Sequence, residues 1–85
     1  MNYEGKYIKF VEFLVVTTKT RVFDILNKDT HCIIGTIRWY GPWRKYSFFP
    51  EPNTVFESQC LSDITKFLND LMLERKLVKQ KIKTN

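Results

Sequence analysis

The pair Gly41-Pro42 interrupts a run of alternating residues, and it constrains the fold of this chain more than any other feature. Apolar or aromatic residues alternate with polar ones in GTIRWY before the pair and in RKYSFF after it. Glycine tolerates positive φ and proline fixes φ at about −65°, which suits a type II′ hairpin turn. We therefore predict a β-hairpin whose strands are His31 to Tyr40 and a second run that ends at Pro50.

The predicted turn sets a register for this hairpin. On one face the expected pairs are Trp39 with Arg44, Ile37 with Tyr46, and Gly35 with Phe48, whose ring would cover the bare glycine. On the other face they are Tyr40 with Trp43, Arg38 with Lys45, and Thr36 with Ser47. We predict that Trp39, Tyr46 and Phe48 hold the fold together, and that Ile33 shares their face.

The rest of the chain predicts two earlier strands and a late helix. The strands are Ile8 to Thr17, with apolar residues on both faces, and Arg21 to Leu26, with residues 1–7 as a loosely ordered lead-in. The helix is predicted from about Gln59 to at least Lys76, with Ser58 as its N-cap and with Asp63 and Asp70 facing outward. Its apolar positions recur at steps of three and four: Leu61, Ile64, Phe67, Leu68, Leu71 and Val78.

These elements predict an α+β fold, an antiparallel β-meander of about four strands with one C-terminal helix packed on one face. Eighty-five residues suit a single domain, which we place at residues 1–78. Residues 79–85 are predicted to form a basic, frayed tail.

The net charge of +5 arises after Glu74, at the end of the helix and in the tail. All nine acidic residues lie at or before Glu74, and nine of the fourteen lysines and arginines lie there too, so residues 1–74 are neutral overall. The excess comes from Arg75, Lys76, Lys79, Lys81 and Lys83. Four lysines and an arginine could contact phosphates, or they could simply be a solvated helix end.

The hairpin carries its own positive charge, because no acidic residue lies between Thr30 and Pro50. We predict a ligand-binding surface formed by Arg38, Tyr40, Trp43, Arg44 and Lys45. The three cations would neutralise phosphate, and the two aromatic rings would stack on bases. Like charges at Arg38 and Lys45, directly opposite each other, would be relieved by a bound anion. The alternative is a solvated rim around a small core.

No catalytic or metal-binding pattern accompanies this surface, so we expect no enzyme, no metal and no cofactor. His31 and Cys32 adjoin each other in a strand and point to opposite faces. Cys60 near the helix start is expected to have a lowered pKa at most, with no partner to make it a nucleophile.

The first residues show no secretory signal and no apolar run is long enough to span a membrane, so we expect a cytoplasmic protein with reduced thiols. Whether Cys32 and Cys60 pair is open on sequence alone.

The segment Gly35-Thr36-Ile37-Arg38-Trp39-Tyr40, followed by Tyr46-Ser47-Phe48-Phe49, locally resembles the G-T-V-K-W-F … G-F-G-F-I stretch of cold-shock domains. In that family the aromatic side chains stack on bases. The resemblance covers about 15 residues. The glycines of the family's second motif are replaced by bulkier residues, and a helix follows the stretch, so we do not expect the cold-shock fold.

A broader pattern spans residues 35–71. It is G-x-I-x-W-Y-G-x-W-R-x-Y-x-F-F-P … T-x-F … C-L-x-D-I-x-x-F, which runs from Gly35 to Phe67. It is similar to a group of small uncharacterised proteins of phages and mobile elements. The resemblance implies a phage accessory protein, and one possible role for such a protein is to antagonise host defence.

Two functions are therefore expected, both without catalysis. The first is binding of nucleic acid or a nucleotide through the basic-aromatic hairpin. The second is a protein–protein interaction module, either a homodimer or an inhibitor of a host defence protein. The second rests on the apolar strand Ile8 to Thr17 and on the abundance of Trp, Tyr and Arg, which are typical of interface hot spots.

Overall fold

A computed structural model describes residues 1–15 and 19–83 of the chain, with side chains up to Val78. The four strands are β1 (Ile8–Phe13), β2 (Val22–Asn27), β3 (Ile33–Tyr40) and β4 (Lys45–Pro50). A short 3₁₀ turn, Gly41–Trp43, joins β3 to β4, and the helix α1 spans Ser58–Lys83. Strand β1 ends before its predicted limit at Thr17, and the prediction for residues 16 and 17 lies outside the described residues.

The strands form one antiparallel sheet in the order β1-β2-β3-β4, so each strand pairs with its neighbour in sequence. The helix packs on one face of this sheet, and the predicted α+β fold is confirmed. We call this the helix face, and we call the opposite side the outer face.

The hydrophobic core lies between the helix face and α1. The ring of Phe67 on the helix stacks on Phe10 at 4.0 Å between centroids and meets Phe23 edge-on at 4.8 Å. Large aromatic rings of this kind supply much of the buried area that a chain of this length can provide. The buried core residues are Ile8, Phe10, Phe23, Ile25, Ile37, Tyr46, Cys60, Ile64, Phe67 and Leu71.

A β-bulge in β3 changes one predicted face. The pairing shifts between Ile25 opposite Gly35 and Leu26 opposite Ile33, which leaves Ile34 as the extra residue. Ile34 therefore packs against the core, and Ile33 is half-exposed. The prediction that Ile33 shares a face with Trp39 is wrong, because a bulge shifts the alternation by one residue.

The helix begins one residue earlier than predicted, and its cap differs. The carboxylate of Glu57 accepts a hydrogen bond from the backbone N–H of Cys60 at 2.7 Å, and the Glu57 carbonyl accepts one from Leu61 N–H. Glu57 thus acts as the N-cap in place of the predicted Ser58, and backbone hydrogen bonds lower the pKa of its carboxyl. Leu61 and Val78, both predicted for the buried stripe, are about half-exposed.

The N-terminal residues pack on the domain, contrary to the predicted loose lead-in. The backbone N–H of Phe10 donates to the Tyr3 carbonyl, and the Tyr3 ring lies against the Phe67 ring at 5.8 Å. Asp63 accepts a hydrogen bond from the Lys6 backbone at 3.0 Å, so this carboxylate is not simply solvated. A Cβ at Gly5 would collide with the Asp63 side chain, which explains glycine at that position.

Arg21 joins the sheet to the helix. Its guanidinium donates two hydrogen bonds of 2.8 Å to Glu12 and bonds of 2.8 and 2.9 Å to Glu74 on α1. A further bond of 2.9 Å reaches the hydroxyl of Tyr3, and the Arg21 backbone N–H donates to the hydroxyl of Tyr46. The hydrogen bonds with Glu12 raise the pKa of Arg21 and lower that of Glu12. This cluster was not predicted from the sequence, because its members are far apart in the chain.

Candidate functional site

The turn between β3 and β4 differs from the predicted type II′ turn. Gly41 does not have a positive φ; the left-handed residue is Arg44, with φ 52° and ψ 47°. The Arg44 backbone N–H donates to the Gly41 carbonyl at 3.0 Å and closes the turn. An arginine in this conformation is strained relative to glycine or asparagine.

The longer turn moves the register of the hairpin by two residues. Trp39 lies opposite Tyr46, Ile37 opposite Phe48, and Gly35 opposite Pro50. On the outer face Tyr40 pairs with Lys45, Arg38 with Ser47, and Thr36 with Phe49. The predicted pairs were therefore wrong, and Arg38 and Lys45 do not face each other.

A shift of two residues keeps every side chain on its predicted face. Tyr46 is buried, and Trp39 and Phe48 pack against the core as expected. The Phe48 ring still covers Gly35, where an added Cβ would overlap it and lie 3.1 Å from the Phe49 carbonyl. This contact is diagonal rather than directly across the ladder.

The outer face carries a row of rings and one stacked cation near the hairpin. The guanidinium carbon of Arg38 lies 3.8 Å from the centroid of the Phe49 ring. Phe49 neighbours Tyr40 at 6.0 Å, and Tyr40 meets Trp43 edge-on at 4.9 Å. Trp43 is 70% exposed. We call these four residues the aromatic row; it leaves one large ring open to solvent, so it can offer a stacking surface.

The five residues predicted to bind ligand lie together at this end of the sheet. Arg38 and Tyr40 belong to the aromatic row, and Trp43 and Arg44 lie in the turn that follows. Lys45 begins β4 directly opposite Tyr40. Phe49 completes the group and was not among the predicted residues; its outer-face position could have been inferred from strand alternation.

The three cations of this group are exposed and form no ion pair with any described residue. By contrast, Arg21 is bound to two carboxylates and Lys28 lies 3.7 Å from Glu4. Unpaired cations beside open rings provide the two contacts that single-stranded nucleic acid needs, one for phosphate and one for bases.

The helix continues past this same end of the sheet. The guanidinium of Arg75 lies over the Trp39 ring at 4.2 Å, close to the end of β3. From Arg75 the helix runs on to Lys83, eight residues that extend about 12 Å further. The backbone of the helix from Arg75 to Lys83 therefore extends beyond the hairpin end of the domain. Residues 84 and 85 of the predicted tail lie outside the described residues.

The sequence did not predict the burial of one carboxylate on the outer face. Asp24 alternates with the core residues Phe23 and Ile25, so it faces away from the helix, yet its own exposure is only 9%. Burial, and then the charge of Glu51, raise the pKa of Asp24 above its ordinary value. The only sequence signal for the burial of Asp24 is that it is a polar residue within an otherwise apolar strand.

The two cysteines are free, with Cys32 exposed and Cys60 buried. Burial and the neighbouring carboxylate of Glu57 raise the pKa of the Cys60 thiol. The prediction of a lowered pKa for the Cys60 thiol is wrong, because burial and the adjacent negative charge raise this pKa by more than the helix N-terminus lowers it.

Comparison with known proteins gives a clear relative. The chain is 41% identical over 71 residues to an "Uncharacterized 9.3 kDa protein" of Acholeplasma phage L2. The match covers 84% of this chain and 91% of the phage protein. The chain belongs to the family of this phage protein. The likeness therefore extends over nearly the whole sheet-and-helix unit rather than over the hairpin alone.

No protein-family model and no solved structure matches the chain. Within residues 1–15 and 19–83 no group of three metal-ligating side chains comes together, and no helix is long and apolar enough to cross a membrane.

Proposed function

We propose that this phage-family protein binds single-stranded nucleic acid on the outer face of its sheet, at the hairpin end. It would do so without catalysis and in the cytoplasm. The aromatic row would stack on bases, and Arg38, Arg44 and Lys45 would contact phosphates. Four-stranded sheets that present aromatic side chains on an open face bind RNA in this way in other proteins.

The observation that carries the proposal is the combination of an open aromatic row with unpaired cations. The guanidinium of Arg38 lies over the ring of Phe49, where its N–H groups form no ion pair with a described residue and can donate to a phosphate. Trp43 is mostly exposed, although burying a ring of its size would stabilise the fold. The exposed ring of Trp43 is costly for the free protein, and both features are useful to a protein that binds nucleotides.

The backbone of Arg44 supports the same proposal. A residue held at φ 52° is strained by about 1–2 kcal/mol unless it is glycine. Strain of this kind often persists where the side chain is needed. An arginine here places a cation at the tip of the hairpin, next to Trp43.

A polymer suits the surface better than a single nucleotide does. Three rings follow one another in the aromatic row, and cations lie on both sides of the turn. More than one base can therefore be accommodated, while a mononucleotide would use only part of the surface. Mononucleotides are a separate arm of the test.

The test is fluorescence titration with an oligothymidylate of about eight nucleotides, a length within the range of single-strand binding sites. We expect quenching of tryptophan emission at low salt, and a loss of affinity with added salt. Trp43→Leu should remove most of the quenching, since Trp39 is packed under Arg75. Arg38→Gln should weaken binding, whereas Lys28→Gln, the same charge loss in the turn after β2, should not.

Absence of quenching at low salt would contradict the proposal. Equal weakening by Arg38→Gln and Lys28→Gln would also contradict it, because it would show a response to net charge alone.

A protein–protein interaction, as a homodimer or as an inhibitor of a host defence protein, is the second candidate. Val11 and Phe13 of β1 lie on the outer face with 45% and 51% exposure. The sheet edges are partly blocked: the Tyr3 carbonyl accepts the outward N–H of Phe10, and the sulfur of Met72 accepts that of Tyr46. A protein partner would therefore cover the outer face rather than extend the sheet.

Light scattering separates these candidates. A dimer that dissociates in Phe13→Ser and binds no oligonucleotide would favour the second candidate. A monomer that binds oligonucleotides would favour the first.

A further inference from the structure

Asp24 is the only charged side chain that is buried among the described residues. It lies in the middle of β2 on the outer face, between Val11 on one neighbouring strand and Thr36 on the other. Its carboxylate has neither a hydrogen-bond nor an ion-pair partner in the described part of the chain. The residue as a whole is 9% exposed, but its carboxylate oxygens are not among the fully buried polar atoms, so they remain accessible from the outer face.

Two cations lie near Asp24 but do not pair with it. Lys9 on β1 and Arg38 on β3 occupy diagonal positions, about 7–8 Å away on neighbouring strands. Arg38 is turned away from Asp24, onto the ring of Phe49. The remaining charged neighbour is Glu51, which repels Asp24 and raises its pKa. Both Asp24 and Arg38 are thus left with unused hydrogen-bonding capacity on one surface.

The register places Asp24 at the base-contacting end of the proposed surface. Asp24 lies opposite Thr36, and Thr36 lies opposite Phe49. Two strand spacings, about 10 Å, therefore separate the carboxylate from the ring. A base that stacks at the Arg38–Phe49 end of the aromatic row would extend over Thr36 towards Asp24, while its phosphate would stay near the cations at the hairpin.

We infer that Asp24 is a specificity-determining residue, an inference that rests on the proposed function. Its carboxylate would accept hydrogen bonds from the edge of a bound base and would favour guanine. Guanine offers two adjacent donors, N1–H and the N2 amino group, which match the two oxygens of a carboxylate. Cytosine offers its N4 amino group, a known partner of carboxylates. Thymine and uracil present one N–H between two carbonyl oxygens, and these repel the carboxylate.

The distribution of charge agrees with this assignment. Asp24 and Glu51 make the middle of the outer face unfavourable for phosphate, whereas Arg38, Arg44 and Lys45 attract phosphate at the hairpin end. A strand bound in this way would have its backbone along the cations and its base edges towards the acidic residue. A site that binds an edge donor rejects analogues that lack it, because the carboxylate would then be covered by the bound strand without a hydrogen-bond partner.

The experiment compares two oligonucleotides: oligothymidylate of about eight nucleotides, and the same sequence with guanine at the two central positions. Affinities are measured by tryptophan fluorescence for the unaltered protein, for Asp24→Asn and for Glu51→Gln. We expect the unaltered protein to bind the guanine-containing strand about tenfold more tightly, within the range of a good side-chain contact to a base. Asp24→Asn should lose most of this preference, and Glu51→Gln should keep it.

Circular dichroism establishes that each variant is folded. The measurement on the unaltered protein stands even if Asp24→Asn does not fold: no preference for guanine would overturn the inference. A preference that persists in folded Asp24→Asn would overturn it as well. In both cases binding of oligothymidylate would leave the proposed function intact. If neither strand binds at low salt, the proposed function and this inference fall together.

Discussion

The guanidinium of Arg38 lies on the ring of Phe49, 3.8 Å from its centroid, although the two residues are not paired in the β3–β4 ladder. Arg38 faces Ser47 and is thus free of the repulsion that a neighbour such as Lys45 would cause. Its orientation is set by stacking, which keeps a planar cation available at the surface. This relationship connects the fold of the hairpin to the proposed binding of nucleic acid.

The first prediction concerns the shape of the Arg38 head group. Arg38→Lys keeps the charge but removes the planar stack on Phe49, so we expect oligonucleotide affinity to fall about two- to fivefold. Arg44→Lys is the matched control, because no ring contact holds the Arg44 head group and the change should matter less. Unchanged affinity in Arg38→Lys would show that charge alone is used at this position.

The second prediction concerns the strained turn. Arg44→Gly should raise the free energy of unfolding by about 0.5–1 kcal/mol, because glycine adopts positive φ freely but gains flexibility in the unfolded chain. The same change should weaken oligonucleotide binding. Asn53→Gly, at φ 60°, is the control and should change stability little, because asparagine tolerates this region. Urea denaturation gives both values, and a destabilised Arg44→Gly would refute the explanation by backbone strain.

The third prediction is a dependence of stability on pH through Asp24. The pKa of Asp24 in the folded state is raised above 3.8, so the charged carboxylate opposes folding above that folded-state pKa. As the pH falls through the raised pKa towards 3.8, this penalty disappears. The melting temperature of Asp24→Asn minus that of the unaltered protein should therefore decrease as the pH is lowered from neutral, because only the unaltered protein loses the penalty. Glu12 and Glu57 have lowered pKa values and act in the opposite sense, but they are present in both proteins and cancel.

A difference in melting temperature that is constant from neutral to acidic pH would contradict a raised pKa at Asp24. Because the prediction concerns the change with pH, it holds whether Asp24→Asn is more or less stable than the unaltered protein at neutral pH.

The fourth prediction concerns the contact between sheet and helix. Arg21→Met should lower the free energy of unfolding by about 1–3 kcal/mol, since it removes hydrogen bonds to Glu12, Glu74 and Tyr3 together. The figure is modest because these side chains are partly exposed and solvent screens their charges. Lys28→Met, which removes a single long contact to Glu4, should change stability by less than about 0.5 kcal/mol. Equal effects of the two changes would contradict a special role for Arg21.

The fifth prediction concerns the basic end of α1. Replacing Lys76, Lys79, Lys81 and Lys83 by glutamine should flatten the dependence of log affinity on log salt, by about 0.7 for each phosphate that these lysines neutralise in the unaltered protein. The helix extends past the hairpin end, so a strand bound there could reach these residues. An unchanged slope with unchanged affinity would identify them as a solvated helix end.

The faces of the hairpin were predictable from sequence, but its register was not. Alternation of side chains has a period of two, so a shift by two residues left Trp39, Tyr46 and Phe48 on the helix face. The register depended on the turn, and the residue types suggested positive φ at Gly41. The chain places positive φ at Arg44 instead, where no local rule favours it.

Departures of a single residue from a regular pattern, and contacts between distant segments, were not predictable from the sequence either. The bulge at Ile34 and the cap at Glu57 are single-residue departures that periodicity does not resolve. The burial of Asp24 depends on side chains of three strands, so composition alone gave no warning of it. The candidate residues at the hairpin were found because strand alternation and local charge are sequence properties.

The most direct test of nucleic-acid binding on the outer face is a two-dimensional NMR titration of the labelled protein with oligothymidylate at low salt. We predict shift changes that cluster on the outer face and the turn, at Arg38, Tyr40, Trp43 and Phe49, with saturation at a defined ratio. Resonances of the buried helix positions Ile64 and Leu71 should move little. No shift changes, or changes confined to the helix, would contradict binding of nucleic acid on the outer face.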